Sequence, residues 1–243
     1  MEKEHIHKLI ERGTLPGSME DHKIIETHIS WIMLTEQYAF KIKRPVRYSF
    51  LDFSTLDKRK YYCHKELELN RRLAPEMYLD VLPVTARMVD GDKAGKQVVD
   101  YAVQMTRMDN RLEMDGMLEK KNVTIEDIDN LALKIADFHK KAPINKEAFN
   151  TTGFQEKYED IQSISEYISG KLGDQWDQKI SQCIQRSNTY LNSHRSYFNE
   201  RAITGFRREC HGDLNATNIF LYDEPVIFDC IEFNEEYRQI DVL

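Results

Sequence analysis

The chain has 243 residues, of which 41% are hydrophobic and 31% charged, with a formal net charge of −7. A chain of this length builds one large or two small domains around its own core, without disulfides or a structural metal. The acidic balance makes non-specific nucleic-acid binding a poor fit, no Lys/Arg run suggests a nucleic-acid arm, and no stretch approaches the ~20 apolar residues of a membrane span.

The four cysteines, Cys63, Cys183, Cys210 and Cys230, form no C-x-x-C pair and have no zinc-finger spacing. Reduced thiols in the cytosol are the simplest expectation. The opening MEKEHIHKLIERG lacks the unbroken apolar stretch of a signal peptide. A soluble, cytoplasmic protein with no membrane or nucleic-acid partner is expected.

In chain order, Ile6, Leu9 and Ile10 predict a short helix over residues 2–12, broken by the GTLPGS segment. From Ile24 to Lys43 the pattern turns to strands: Trp31 and Met33 alternate with Ile32 and Leu34, residues 35–37 turn, and Tyr38 to Lys43 alternates again before Pro45. Residues 55–73 predict a helix capped by Thr55, with Leu56, Lys60, Cys63, Leu67 and Leu73 as its buried stripe. Val81 to Val89 and Val98 to Met105 predict strands joined by a DGDKAGKQ turn. After Met108 the chain becomes helical. Thr124 and Asp127 form a capping-box-like start, followed by a buried face of Ile125, Ile128, Leu131, Ile135 and Phe138. Further helices are predicted over 154–169 and 174–200, and the last forty residues return to short strands and loops.

The most informative segment is CHGDLNATNIFLYDEPVIFDCIEFN, residues 210–234. It holds H-x-D-L-x-x-x-N, from His211 through Asp213 and Leu214 to Asn218. A strand, an Asp-Glu-Pro turn and a second strand follow, and the second strand ends on Asp229. Phosphoryl transfer calls for such a set: one carboxylate to orient a hydroxyl and take its proton, another to hold Mg²⁺, and an amide oxygen to complete the metal shell. In this reading Asp213 is the base, Asn218 and Asp229 are metal ligands, and His211 is structural.

HGDLNATN followed by IFDCIEFN resembles the catalytic and metal-binding loops of the aminoglycoside phosphotransferase-like family, within the protein-kinase-like fold. HGD stands where protein kinases have HRD, and FDCIE stands where they have DFG. The likeness is closest to an uncharacterised bacterial branch sometimes fused to an AAA-type ATPase; no G-x-x-x-x-G-K-[ST] loop occurs here.

The resemblance implies an α+β, two-lobe fold. A strand-rich N-lobe would span 1–108, with residues 55–73 as its αC-like helix and a hinge at about 104–108. A mainly helical C-lobe would span 109–243, with catalytic loop 211–218 and metal-binding loop 229–232, incomplete at its C-terminal end. YAFK (38–41) resembles the V-A-I-K pattern and makes Lys41 the phosphate lysine, preferred over Lys43, which faces the same side of a strand. Glu66 is its first ion-pair candidate and Glu68 the second.

The hinge residues Gln104, Met105, Thr106 and Met108 would meet adenine. No G-x-G-x-x-G loop occurs near the start, and Thr27, His28 and Ser30 of an E-T-H-I-S segment would contact the phosphates instead. Glu232 occupies the family's second acidic position as a further metal or water ligand. The implied activity is ATP- and Mg²⁺-dependent phosphorylation of a small-molecule hydroxyl. The alternatives are a nucleotide-binding or scaffold module without turnover and, less favoured for want of HRD, D-F-G and A-P-E, a protein kinase.

Overall fold

The computed structural model describes residues 15–16, 23–87 and 96–242. The helix expected over 2–12 and most of the DGDKAGKQ turn lie outside them. The chain is α+β and forms two compact units, Met1–Lys141 with Cys210–Arg238, and Ala142–Glu209 with Gln239–Leu243. The segment expected as a hinge, 104–108, lies within the first unit. Among the described residues no helix is long and apolar enough to cross a membrane.

The first unit is built on a five-stranded antiparallel sheet: β1 (Lys23–Glu26), β2 (Ser30–Leu34), β3 (Tyr38–Lys43), β4 (Tyr78–Arg87) and β5 (Lys96–Thr106), in the order β1-β2-β3-β5-β4. Where one strand was expected to lead up to residue 34, β1 and β2 are separate strands of a hairpin, turning at Thr27–Ile29. The two-residue period of a strand sorts β3 onto two faces. Phe40 and Ile42 join Trp31, Met33, Val84 and Ala102 in an apolar cluster. Ala39, Lys41 and Lys43 therefore point to the opposite face, where Ala39 packs with Cys63 of the principal helix.

That helix, α1 (Leu56–Asn70), starts where Thr55 accepts the Lys58 N–H, as expected. Its buried face differs from the expected stripe. Arg59, Cys63, Glu66, Leu69 and Asn70 are buried, whereas Leu56 and Leu67 are half-buried and Lys60 is exposed. Positions 59, 63, 66 and 70 lie along one side of a helix, but three of these four side chains are polar, so hydrophobic periodicity does not reveal the face.

After β5 come α2 (Met114–Glu119) and α3 (Ile125–Lys141). The Thr124–Asp127 capping box forms: Thr124 Oγ1 accepts the Asp127 N–H at 3.1 Å, and Asp127 Oδ2 accepts the Thr124 N–H at 2.8 Å. Ile125 is nonetheless 82% exposed and Ile128 42%. The core contact of α3 begins one turn later, at Leu131, which packs with Leu73, Ile219, Leu221 and Ile227.

The second unit holds α4 (Thr151–Glu159), α5 (Ser165–Leu172), α6 (Gln175–Ser193), α7 (Arg195–Ile203) and the strand pair β6 (Arg207–Glu209) and β9 (Gln239–Asp241). The two helices expected here are each interrupted, by a 3₁₀ turn at Asp160–Ile164 and by His194, whose Nδ1 lies 2.9 Å from the Tyr190 carbonyl.

The first unit also buries an ion pair between α1 and β5. Arg59 Nε contacts Asp100 Oδ1 at 2.9 Å and Oδ2 at 3.1 Å, with side chains 8% and 0% exposed. Removing one partner leaves the other charge buried and unpaired. Arg59→Met is therefore expected to cost about 3–5 kcal/mol in urea unfolding, and a loss below about 1 kcal/mol would show the pair to be dispensable.

Candidate functional site

The candidate site lies wholly within the first unit and begins at β3. Lys41 and Lys43 leave the strand on the same face, and Glu66 reaches both from α1. Lys41 Nζ lies 2.9 Å from Glu66 Oε1, and Lys43 Nζ lies 2.6 Å from Glu66 Oε2. Each lysine has a second carboxylate. Lys41 Nζ approaches Asp229 Oδ1 at 2.5 Å, and Lys43 donates to Glu232 Oε1. Glu68, the second candidate for the ion pair, is exposed and pairs with Lys65 instead.

Two positive charges thus face three negative ones. Within these five groups the carboxylates outnumber the ammonium groups by one, and one member is much more exposed than the rest. The side chains of Glu66, Lys43 and Glu232 are 0%, 1% and 4% exposed and that of Lys41 10%, whereas that of Asp229 is 42% exposed. Burial by itself raises the Glu66 carboxyl, but the two lysines outweigh it and hold the group at about 2. Burial by itself lowers both lysines, and the surrounding carboxylates outweigh it and raise them. Burial pushes the Glu232 carboxyl up, against the opposing pull of Lys43.

The loop carrying Asp229 is placed by the β7 (Ile219–Phe220) and β8 (Val226–Ile227) hairpin. The Phe228 N–H donates to the Asn218 carbonyl at 3.0 Å, which sets Asn218 beside the residue preceding Asp229. His211 joins the two loops. Its Nε2 donates to the Phe228 carbonyl at 2.9 Å, and its Nδ1 accepts the Asp213 N–H at 3.3 Å. Because a carbonyl only accepts, the imidazole carries its proton on Nε2; burial lowers its pKa, which favours the neutral ring. Both ring nitrogens are occupied by backbone, so the ring shapes the loop. Gly212 has φ +89°, and a Cβ there would stand 3.1 Å from the Tyr237 carbonyl oxygen, so glycine is required.

Asp213 is exposed and its carboxylate is flanked by two amides, from Asn215 Nδ2 at 3.2 Å and Asn218 Nδ2 at 3.3 Å. Asn218 Nδ2 also donates to the Asp213 carbonyl at 2.8 Å. With its amino group committed to Asp213, Asn218 turns its oxygen elsewhere. Asn218 Oδ1 and Asp229 Oδ2 accept no hydrogen bond from the described residues. Among the described residues no group of three or more His, Cys, Asp or Glu gathers as a metal cage. Magnesium, which keeps several waters, asks for fewer protein ligands, and one carboxylate oxygen with one amide oxygen fits it.

The other expected contacts are placed less directly. Thr27 Oγ1 accepts the Ser30 N–H at 2.9 Å and donates to the Ser30 carbonyl at 3.0 Å, closing the β1–β2 turn on itself. Ser30 is 0% exposed, and His28 is exposed. Gln104, Met105 and Thr106 are the last residues of β5, where Met105 is buried; Met108 packs half-buried against the same core cluster as Met105. Sequence reasoning missed Asn70 and Tyr78, whose side chains hold the Asp229 loop. It also missed the Lys43–Glu232 pair, although the shared face of Lys41 and Lys43 signalled a second buried cation.

No family model matches the chain. It is 28% identical over 222 residues to uncharacterised proteins of Mycobacterium bovis and of two strains of Mycobacterium tuberculosis. The match covers 89% of this chain and 42% of each relative, so the chain spans less than half the length of the curated relatives it matches.

The depressed Glu66 carboxyl sets a pH dependence. Its folded value of about 2 lies below the ordinary 4.5, so its contribution to stability is complete above about pH 4.5 and is lost as pH falls towards 2. Stability followed by denaturant melts across that window is expected to fall less steeply in Glu66→Gln than in the unaltered protein. Parallel curves would show that Glu66 carries no such linkage.

Proposed function

We propose that the chain is an ATP- and Mg²⁺-dependent phosphotransferase acting on a hydroxyl of a small molecule, of the aminoglycoside phosphotransferase-like family with a protein-kinase-like fold. The observation that carries this reading is the convergence on Asp229. A half-exposed carboxylate stands at the end of a Glu66–Lys41 pair, and the loop bearing Asn218 and Asp213 is hydrogen-bonded alongside it. A buried lysine clamped by a helix carboxylate suits nucleotide phosphates, and a carboxylate with a neighbouring amide oxygen suits the accompanying cation.

In this reading Asp229 and Asn218 Oδ1 hold magnesium, which neutralises charge on the terminal phosphates when bound. Lys41 meets phosphate oxygens while Glu66 keeps its ammonium aligned. Asp213, oriented by the amides of Asn215 and Asn218, receives the acceptor hydroxyl and accepts its proton. Adenine would meet the end of β5 between Gln104 and Met108. Glu232, committed to Lys43 within the protein, is a weaker candidate for the metal than Asp229.

The β1–β2 turn favours a second reading, a nucleotide-binding module without turnover. Its Thr27 hydroxyl is spent within the turn and Ser30 is buried, so neither hydroxyl is presented as a phosphate donor. Consumption of the γ-phosphate with a panel of hydroxyl-bearing metabolites separates the two.

Asp213→Asn is expected to bind nucleotide normally while turnover falls by about 10²–10⁴-fold, the usual worth of a general base. Unchanged turnover would remove Asp213 from that role. Asp229→Ala is expected to weaken magnesium-dependent nucleotide binding by about 100-fold or more in calorimetry, above the roughly 10–100-fold that loss of an outer hydrogen-bond partner costs a metal site. An unaltered isotherm would reject Asp229 as a ligand.

A further inference from the structure

Asp229 has φ +62°, one of two non-glycine residues with positive φ among those described. A side-chain-bearing residue stays in that region only where its surroundings hold it there. The holding is visible along the loop. The Asp229 N–H donates to the Tyr78 hydroxyl at 3.2 Å, the Cys230 N–H to Asn70 Oδ1 at 2.9 Å, and the Ile231 N–H to the His211 carbonyl at 3.1 Å. The Ile231 carbonyl accepts from Arg238 Nη1 at 2.9 Å. The next residue, Glu232, is tied through its side chain to Lys43. Tyr78 and Asn70 are themselves 1% exposed, and Asn70 Nδ2 donates back to the Glu66 carbonyl at 2.9 Å.

Within this arrangement Lys43 and Glu232 differ from Lys41 and Asp229 in one respect. Their side chains are 1% and 4% exposed, and the Phe53 ring lies 4.8 Å from Lys43 Nζ. Neither group faces the solvent that a nucleotide or hydrated cation would occupy.

We propose that Lys43 and Glu232 form a positioning pair for Asp229: the pair pins the far end of the 229–232 loop to β3 and α1, so that Asp229 is held towards the cation before any ligand arrives, and Glu232 is not itself a ligand. What Asp229 does there rests on the phosphotransfer reading; how it is held does not. Lys41 and Lys43 then divide the work, one facing the phosphates and the other anchoring the loop, with Glu66 as their common counter-ion.

The test compares Lys43→Met, Glu232→Gln and the double variant. Lys43→Met strands Glu232 and takes one of its two lysines from Glu66, whereas Glu232→Gln leaves Lys43 paired with Glu66; the double variant removes the stranded carboxylate and is expected to recover part of the thermal midpoint that Lys43→Met loses. A structural role alone predicts that loop exchange and ligand binding recover in step with the midpoint. The positioning role predicts that in the double variant, free of metal and nucleotide, the amides of residues 229–232 still exchange hydrogen about tenfold faster or more. Calorimetric binding of ATP with magnesium is then expected to weaken about tenfold, with ATP alone unchanged.

Exchange and magnesium-dependent binding both as in the unaltered protein would overturn the proposal. So would a loss of magnesium-dependent binding in Glu232→Gln with none in Lys43→Met, which would make Glu232 a ligand. If the double variant does not fold, Glu232→Asp keeps the charge and shortens the reach: faster loop exchange supports the tether, and unchanged exchange overturns it. If the unaltered protein shows no magnesium-dependent nucleotide binding, the phosphotransfer reading fails, and the exchange measurement alone decides the positioning role.

Discussion

One buried carboxylate organises the first unit. Glu66, with no exposed surface, takes one oxygen to Lys41 and the other to Lys43. Burying one charge is costly unless it is paired, and burying three within a few ångströms is tolerable only when each has a partner of opposite sign. The requirement fixes the geometry: β3 must run so that residues 41 and 43 share a face, and α1 must cross that face with residue 66 towards them. The 229–232 loop must then return to supply the remaining carboxylates.

This explains why the core between α1 and the sheet is polar in a way a hydrophobic count does not anticipate. Arg59 meets Asp100, Glu66 meets two lysines, and Asn70 receives the Cys230 N–H. Apolar packing continues around these groups through Cys63, Val103 and Met105. Apolar contacts would hold a helix on a sheet in several registers, whereas three directional contacts along α1 accept one. The register matters because Glu66 is the link between the strand lysines and the loop acids.

The same network has a functional consequence in the proposed reading. Its carboxylates outnumber its two lysines, and the most exposed of them is Asp229. The buried members behave as scaffold. Tyr78, Asn70 and Lys43 hold a strained loop from the sheet and helix side, while His211 and Arg238 hold it from the catalytic-loop side. A ligand site prepared this way has its ordering cost met at folding, not at binding.

Much of this was legible in the chain. The period-two run of β3, the Thr55 cap, the Thr124–Asp127 box and the strand–turn–strand before Asp229 depend on neighbours a few residues apart, and local spacing reports local chemistry. The H-x-D-L-x-x-x-N pattern placed Asp213 and Asn218 on one loop for the same reason, and the structure brings them within hydrogen-bonding reach. The buried face of α1 was hidden because polar residues occupy it, and a polar residue counts as buried only once its partner, here 23 or 41 residues away, is known. The pairing of Lys43 with Glu232, 189 residues apart, was decided by the tertiary structure alone. A sequence states which groups carry charge, but only the folded chain determines which of them lose water together and must therefore compensate one another.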